Sequence, residues 1–489
     1  MSGSDGFDVF DLPSVIQGGM GVAVSSWPLA RAVSMAGGLG VVSGTALDTV
    51  LVRRLQEGDF GGDVRRAMAH FPLPDVVEEV LERFFRPEGK APDEPFEILP
   101  LYRRVVSMGR ERLIMLANFV EVFLAREGHD GPIGINLMTK IQIPNLASLY
   151  GAMLAGVDAV LMGAGIPREI PGALDRLAAH ERATHRLVVE GDGEGESAEL
   201  SFDPRAHFAD PVEGLRRPAF LAIVSTDSLA TILGRKASGH VDGFVVEAPS
   251  AGGHNAPPRD RSSRTASGEP LYGPRDYADL ERIRGLDRPF WVAGGAGSPE
   301  GLREAQAAGA AGVQVGTLFA FCEESGIDDD IRRSVLEDVR EEHVHVFTDS
   351  AASPTGFPFK VVEVEGTLSD GEVHADRERI CDLGYLRTAY RRPDGRIGFR
   401  CPAEPVETWV KKGGAREETE GRKCVCNGLL ATVGLGQARG EGKAEPPIVT
   451  AGDDLVALGA FLSGRTSYSA ADVMRYLVSE SLQEEKKAE

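Results

Sequence analysis

The sequence predicts an α/β protein, a TIM-type (β/α)8 barrel with insertions, followed by an additional C-terminal α+β region. Eight short runs rich in Val, Ile, Leu and Ala recur between stretches of helical pattern. Several of the runs end in glycine, where a barrel places its functional loops. The alternation then stops near His343. On this basis residues 1–345 form the barrel and 346–489 the C-terminal region.

The runs are residues 14–19, 40–44, 132–137, 158–163, 220–225, 243–248, 290–295 and 312–317. Their near-continuous apolar character is what a parallel strand buried on both faces requires. Helices are expected at 27–36, 110–126, 145–155, 227–237 and 299–308, the last opened by Ser298 as a cap and Pro299 in the first turn. An open doubly wound sheet is the structural rival, and eight units favour closure. Three segments exceed a minimal barrel: a charged, proline-bearing helical excursion at 56–105, a hairpin at 185–212 around Gly191-Asp-Gly-Glu-Gly, and a long loop at 259–277. Helices are expected again at 455–462 and 470–482, with a frayed tail from Gln483.

The formal net charge of −21, from 74 acidic and 53 basic residues, excludes a phosphate-backbone partner, which needs a basic footprint. The start of the chain has no cationic segment ahead of an apolar run, and the longest apolar stretch, 146–166, is broken by Asp158 and four glycines. A cytoplasmic protein without membrane spans is expected; homo-oligomerisation stays open. Five cysteines do not make a secreted disulfide scaffold.

Val15-Ile-Gln-Gly-Gly-Met-Gly closes the first strand, and its glycines allow a flat ring to approach the backbone. Strand seven ends in Ala293-Gly-Gly-Ala-Gly-Ser and strand eight in Val315-Gly-Thr. In barrels those two loops form the usual phosphate site, so Gly294, Gly295, Gly316 and Thr317 are assigned to a phosphate dianion. After strand six comes Glu247-Ala-Pro-Ser-Ala-Gly-Gly-His-Asn. His254, in that Gly-Gly-His turn with Gly253, is the catalytic candidate, because an imidazole there can take a proton or hold an anion.

These motifs, with Gly134-Ile-Asn-Leu, follow the order of the nitronate monooxygenase (2-nitropropane dioxygenase-like) family, which the chain resembles over roughly residues 14–325. The resemblance implies an FMN-dependent oxidoreductase acting on a small anionic substrate, a nitronate, with oxygen. It implies FMN contacts at Gln17, Gly18, Gly19, Met20, Asn136 and Gly253 besides the phosphate loops, and makes His254 the active-site histidine. Lys140 and Gln142 lie just beyond Asn136 and are expected to face the site. The chain departs from the family where Pro249 and Ser250 intrude before Ala251, and where Asn-Ala-Pro-Pro-Arg follows His254. The same barrel resembles FMN-dependent enoyl reductases acting on carrier-bound acyl chains, so NAD(P)H-dependent reduction of an enoyl or quinone substrate is the alternative. A flavin-binding scaffold that docks a partner comes third.

Cys381, Cys401, Cys424 and Cys426 are spaced Cys-x19-Cys-x22-Cys-x-Cys. They lack the two-residue knuckle of a zinc site, so free or transiently oxidised thiols and no metal are expected. Cys322 reads as core.

Overall fold

The computed structural model describes residues 9–192 and 198–479. The tip of the expected hairpin, the start of the chain and the tail from Gln483 lie outside them. Eight parallel strands make one sheet: β1 (Val15–Gln17), β2 (Gly40–Ser43), β3 (Ile133–Met138), β4 (Ala159–Gly163), β5 (Ala219–Val224), β6 (Gly243–Glu247), β7 (Phe290–Ala293) and β8 (Gly312–Val315). All eight fall on the expected runs. β1 pairs with β8 in register Val15 with Val313. It reaches the β2 side through Leu39, whose N–H donates to Val15 O at 2.9 Å and whose O accepts from Gln17 N at 3.0 Å. The sheet is thereby closed into a TIM barrel.

Side chains alternate across each strand, which separates two apolar layers. Ile16, Val41, Leu161, Leu221, Val245 and Trp291 fill the barrel interior, and Val9 and Leu12 join them from the N-terminal segment. Trp291 Nε1 donates to Pro13 O at 3.0 Å, fixing that segment in place. The opposite faces pack outward under the helices in a second, larger cluster.

The helices form where expected: α1 (Trp27–Met35), α2 (Met108–Arg126), α3 (Asn145–Leu154), α4 (Asp227–Lys236) and α5 (Pro299–Ala307). Ser298 Oγ accepts from Gly301 N at 2.9 Å, the cap read from the sequence. The excursion after β2 contains short helices at Asp63–Met68 and Pro74–Phe84. Its anchor is the buried Asp48, which accepts from Tyr102 Oη at 2.5 Å and Tyr385 Oη at 2.6 Å and pairs with Arg110 at 2.6 Å. The hairpin pairs Ala183–Leu187 with Ala198–Phe202.

The C-terminal region folds against the barrel, not beside it. Val346–Asp349 pairs with Phe359–Val362, and Thr388–Arg391 pairs with Ile397–Arg400. Thr388–Arg391 also adds Val189–Glu190 of the hairpin as a parallel neighbour. Val425, Leu430, Ile448, Leu455 and Val473 belong to the same apolar cluster as the barrel's outer layer. Expected helix 455–462 is a 3-10 turn, Asp453–Ala457, running into Leu458–Leu462; the last helix is Ala470–Val478, with Ser469 and Asp472 as a capping box. Among the described residues no helix is long and apolar enough to cross a membrane.

Candidate active site

The C-terminal ends of the barrel strands open onto one cavity. Gly18, Gly19 and Met20 reach it after β1, Asn136 from β3, Gly253 and His254 after β6, Gly294 after β7, and Gly316 and Thr317 after β8. The backbones approach closely there. A Cβ on Gly19 would lie 2.3 Å from Asn136 Cβ, and Asn136 Nδ2 donates to Gly19 O at 2.9 Å. Gly294 has φ +87°, a left-handed conformation that favours glycine.

Four residues from the sequence reading, Gln17, Lys140, Gln142 and Gly295, do not reach the cavity wall. Gln17 is fully buried on the other side of its strand, because alternation puts Ile16 inside the barrel and Gln17 outside. Its amide donates to Ser25 Oγ at 2.7 Å and to Gly18 O, and its Oε1 accepts from Val41 N at 2.9 Å. It therefore holds the first turn in shape. Gly295 is exposed, and Ala296 and Gly297 line the cavity in its place. Gln142 is likewise spent elsewhere, bonding Arg186 O and Val188 N of the hairpin. Lys140 Nζ lies over the Phe357 ring, 4.8 Å from its centroid.

The half-buried His254 stands against the C-terminal region. Its Nε2 shares a 2.6 Å hydrogen bond with Ser353 Oγ, and its ring meets Phe359 edge-on at 4.8 Å. Desolvation, helped by the positive charge of Lys140, pulls its pKa down to about 4, so the imidazole is neutral at physiological pH. Lys360 N donates to Gly253 O at 2.9 Å, and Gly253 N donates to Thr450 Oγ1 at 2.9 Å, fixing the turn from both sides.

Several lining groups escaped the sequence reading. Glu247 ends β6 inside the cavity, where burial pushes its carboxyl up to about 7. Its signal was present as a charge closing an apolar run. Gln314 of β8 presents a buried Oε1 with no hydrogen-bond partner among the described residues. The C-terminal region supplies Tyr385, Leu386, Cys426, Thr450, Gly452 and Asp454. Gly452 N donates to Thr317 Oγ1 at 3.0 Å, and the Thr317 hydroxyl bonds the Asp454 carboxyl, whose pKa burial raises. No local pattern marks residues so far along the chain as part of a barrel mouth.

Residues 170–351 match the nitronate monooxygenase family. The chain is an oxidoreductase. The matched stretch holds β5 to β8, His254 and both glycine turns. A comparison with curated proteins finds no match. Among solved structures the chain is similar to FabK from Thermotoga maritima, at 16% identity, 97% of this chain, 94% of that chain and a TM-score of 0.47. It is also similar to a nitroalkane oxidase from Streptomyces ansochromogenes, at 15% identity, 98% and 99% coverage and a TM-score of 0.46. The enoyl reductase domain of MlnA from the macrolactin cluster of Bacillus amyloliquefaciens gives 13% identity, 98% and 97% coverage and a TM-score of 0.48.

Proposed function

We propose that this enzyme binds one FMN at the barrel mouth and oxidises alkyl nitronates with molecular oxygen. The observation that carries the reading is the meeting of His254 and the two glycine turns, all within the matched stretch, on a single cavity. The residues fit the cofactor. Gly18 and Gly19 leave the backbone bare for a flat ring, and the Gln314 Oε1, without a hydrogen-bond partner among the described residues, is an acceptor for a ring N–H. Gly294, Gly297, Gly316 and Thr317 give the phosphate an unencumbered backbone. Asp454 sits in that same corner: a Cβ on Gly297 would stand 3.2 Å from its Oδ2. Burial raises the pKa of its carboxyl, which favours the protonated form that can donate to a phosphate oxygen over the anion that would repel one.

Bound FMN supplies an electron acceptor that oxygen regenerates. The chain's own residues bind and orient. The neutral His254, held by Ser353, either takes a proton from a neutral nitroalkane or steadies the oxygens of a preformed nitronate, with the Lys140 charge nearby. The C-terminal segment Thr450–Asp454 closes one side of the cavity and limits the water that reaches it.

One observation favours the alternative, NAD(P)H-dependent reduction of a carrier-bound enoyl substrate. Beside the cavity runs a groove lined, among the described residues, by nine arginines and one acidic residue, Glu79. Arg83, Arg110, Arg112, Arg391 and Arg396 are paired with carboxylates, and Arg103, Arg104, Arg387 and Arg392 carry the remaining positive charge. In a chain of net charge −21 this is a local reversal of sign that suits an acidic carrier. Oxygen uptake separates the readings. Purified enzyme with propionate 3-nitronate should consume oxygen without pyridine nucleotide. Turnover that needs NADPH, with no uptake on any nitronate, would replace the first reading by the second.

A further inference from the structure

The four cysteines left over from the barrel chemistry meet in space. Cys401 directly follows the strand Ile397–Arg400, and Cys424 and Cys426 open the helix Val425–Thr432. With Cys381 they line one small internal pocket, together with Pro354, Leu386, Arg387 and Asn427. None is in a disulfide. Leu386, Val425 and Cys426 also line the active-site cavity, so the two pockets share a wall.

The charges around this pocket do not balance. Arg379 donates to Pro402 O and Thr419 O, Arg387 to Gly384 O and Tyr102 O, and Arg422 to Ala351 O and Glu418 O. All three half-buried guanidiniums bond only main-chain carbonyls among the described residues. Each is close enough to one or more of these cysteines for their charges to interact. Most neighbouring carboxylates are already committed, Glu445 to Arg377 and Arg439, Asp382 to Arg439, Glu404 to Lys412 and Asp349 to Lys423. Glu418 stands near Arg422, which leaves Arg379 and Arg387 without a carboxylate of their own among the described residues. Half-buried cations without an anion are costly. A coordinating thiol is deprotonated outright, so a metal held in this pocket brings negative charge to face the guanidiniums.

We propose that Cys381, Cys401, Cys424 and Cys426 hold a thiolate-bound metal centre in the wall shared with the active-site cavity. Each thiol releases its proton to solvent on binding, and four thiolates around a core of charge +2 leave a dianion facing the three guanidiniums. Thiols from three separate segments, spread around one pocket, fit a polynuclear iron–sulfur core, whereas a single zinc draws its thiolates to about 2.3 Å. The sequence spacing hid this, because the ligands come from three separate segments.

The test is the metal content of the full-length protein, expressed with added iron and purified without oxygen. Iron and acid-labile sulfide in equal amounts, lost in Cys401→Ser and Cys424→Ser and kept in Cys322→Ala, are the expected result. Stoichiometric zinc lost in the same two variants also supports the thiolate centre and names its metal. Wild-type protein that holds neither metal, as purified and after anaerobic reconstitution with ferric iron, a thiol reductant and sulfide or with zinc, overturns the proposal, whether or not the variants fold. So does metal that survives in both serine variants.

Discussion

Replacing Gly294 by alanine probes the phosphate corner with a control one residue away. At φ +87° a side chain costs about 1–2 kcal/mol in backbone strain. The new Cβ would also stand 2.8 Å from Ala251 N and 3.0 Å from Ser250 Oγ, on the turn that carries His254. Relieving such overpacking costs a further ~1–3 kcal/mol. Together these give about 2–5 kcal/mol, and if the loop yields, FMN affinity falls roughly 30- to 4,000-fold. Gly295 has φ +73°, and its Cβ would come no closer than 3.3 Å to Ser250 Oγ, so Gly295→Ala bears little beyond the backbone strain. Flavin fluorescence titration of the two apoproteins, with melting temperatures to detect strain that stays in the fold, separates them. Equal losses in both variants, or unchanged affinity and unchanged melting in Gly294→Ala, would refute the close-approach argument.

Three further outcomes follow from the geometry. His254→Asn should keep FMN, lose on the order of 10²–10⁴-fold on neutral nitroalkanes and lose less on nitronates; in the wild type the base is the neutral imidazole, so kcat/KM on a neutral nitroalkane should hold as pH falls and drop only near pH 4. Equal loss on both substrates would make His254 an anion holder. Glu247 is neutral below about pH 7 and anionic above it, so KM for a nitronate should rise through that pH by roughly tenfold (~1.4 kcal/mol), and Glu247→Gln should flatten the profile. Asp48→Ala should destabilise the fold by about 3–5 kcal/mol in denaturant unfolding, because it leaves the Arg110 charge without its carboxylate and takes an acceptor from the Tyr102 and Tyr385 hydroxyls, of which Tyr385 keeps Thr49.

The barrel was readable because buried parallel strands must be apolar along their whole length, and each of the eight runs became a strand. The loops after β6, β7 and β8 were readable because their glycines sit at strand ends. Reading went astray where position depended on side-chain direction: Gln17 lies in the right motif but one step out of phase with Ile16. It also fell short where partners come from far along the chain. Thr317 meets Gly452 across 135 positions, and His254 meets Ser353 across 99. The cysteines behave the same way, since neither 19- nor 22-residue gaps carry a local signal, and only folding brings the four to one pocket.

The central claim is that a nitronate, not a pyridine nucleotide, delivers electrons to the flavin at this barrel mouth. Anaerobic stopped-flow mixing of the purified enzyme with propionate 3-nitronate, NADH and NADPH in separate experiments tests it most directly. The account predicts loss of oxidised-flavin absorbance with the nitronate and recovery when oxygen is admitted, with neither nucleotide matching its rate. Fast bleaching by NADH or NADPH, with the nitronate inert, would contradict it.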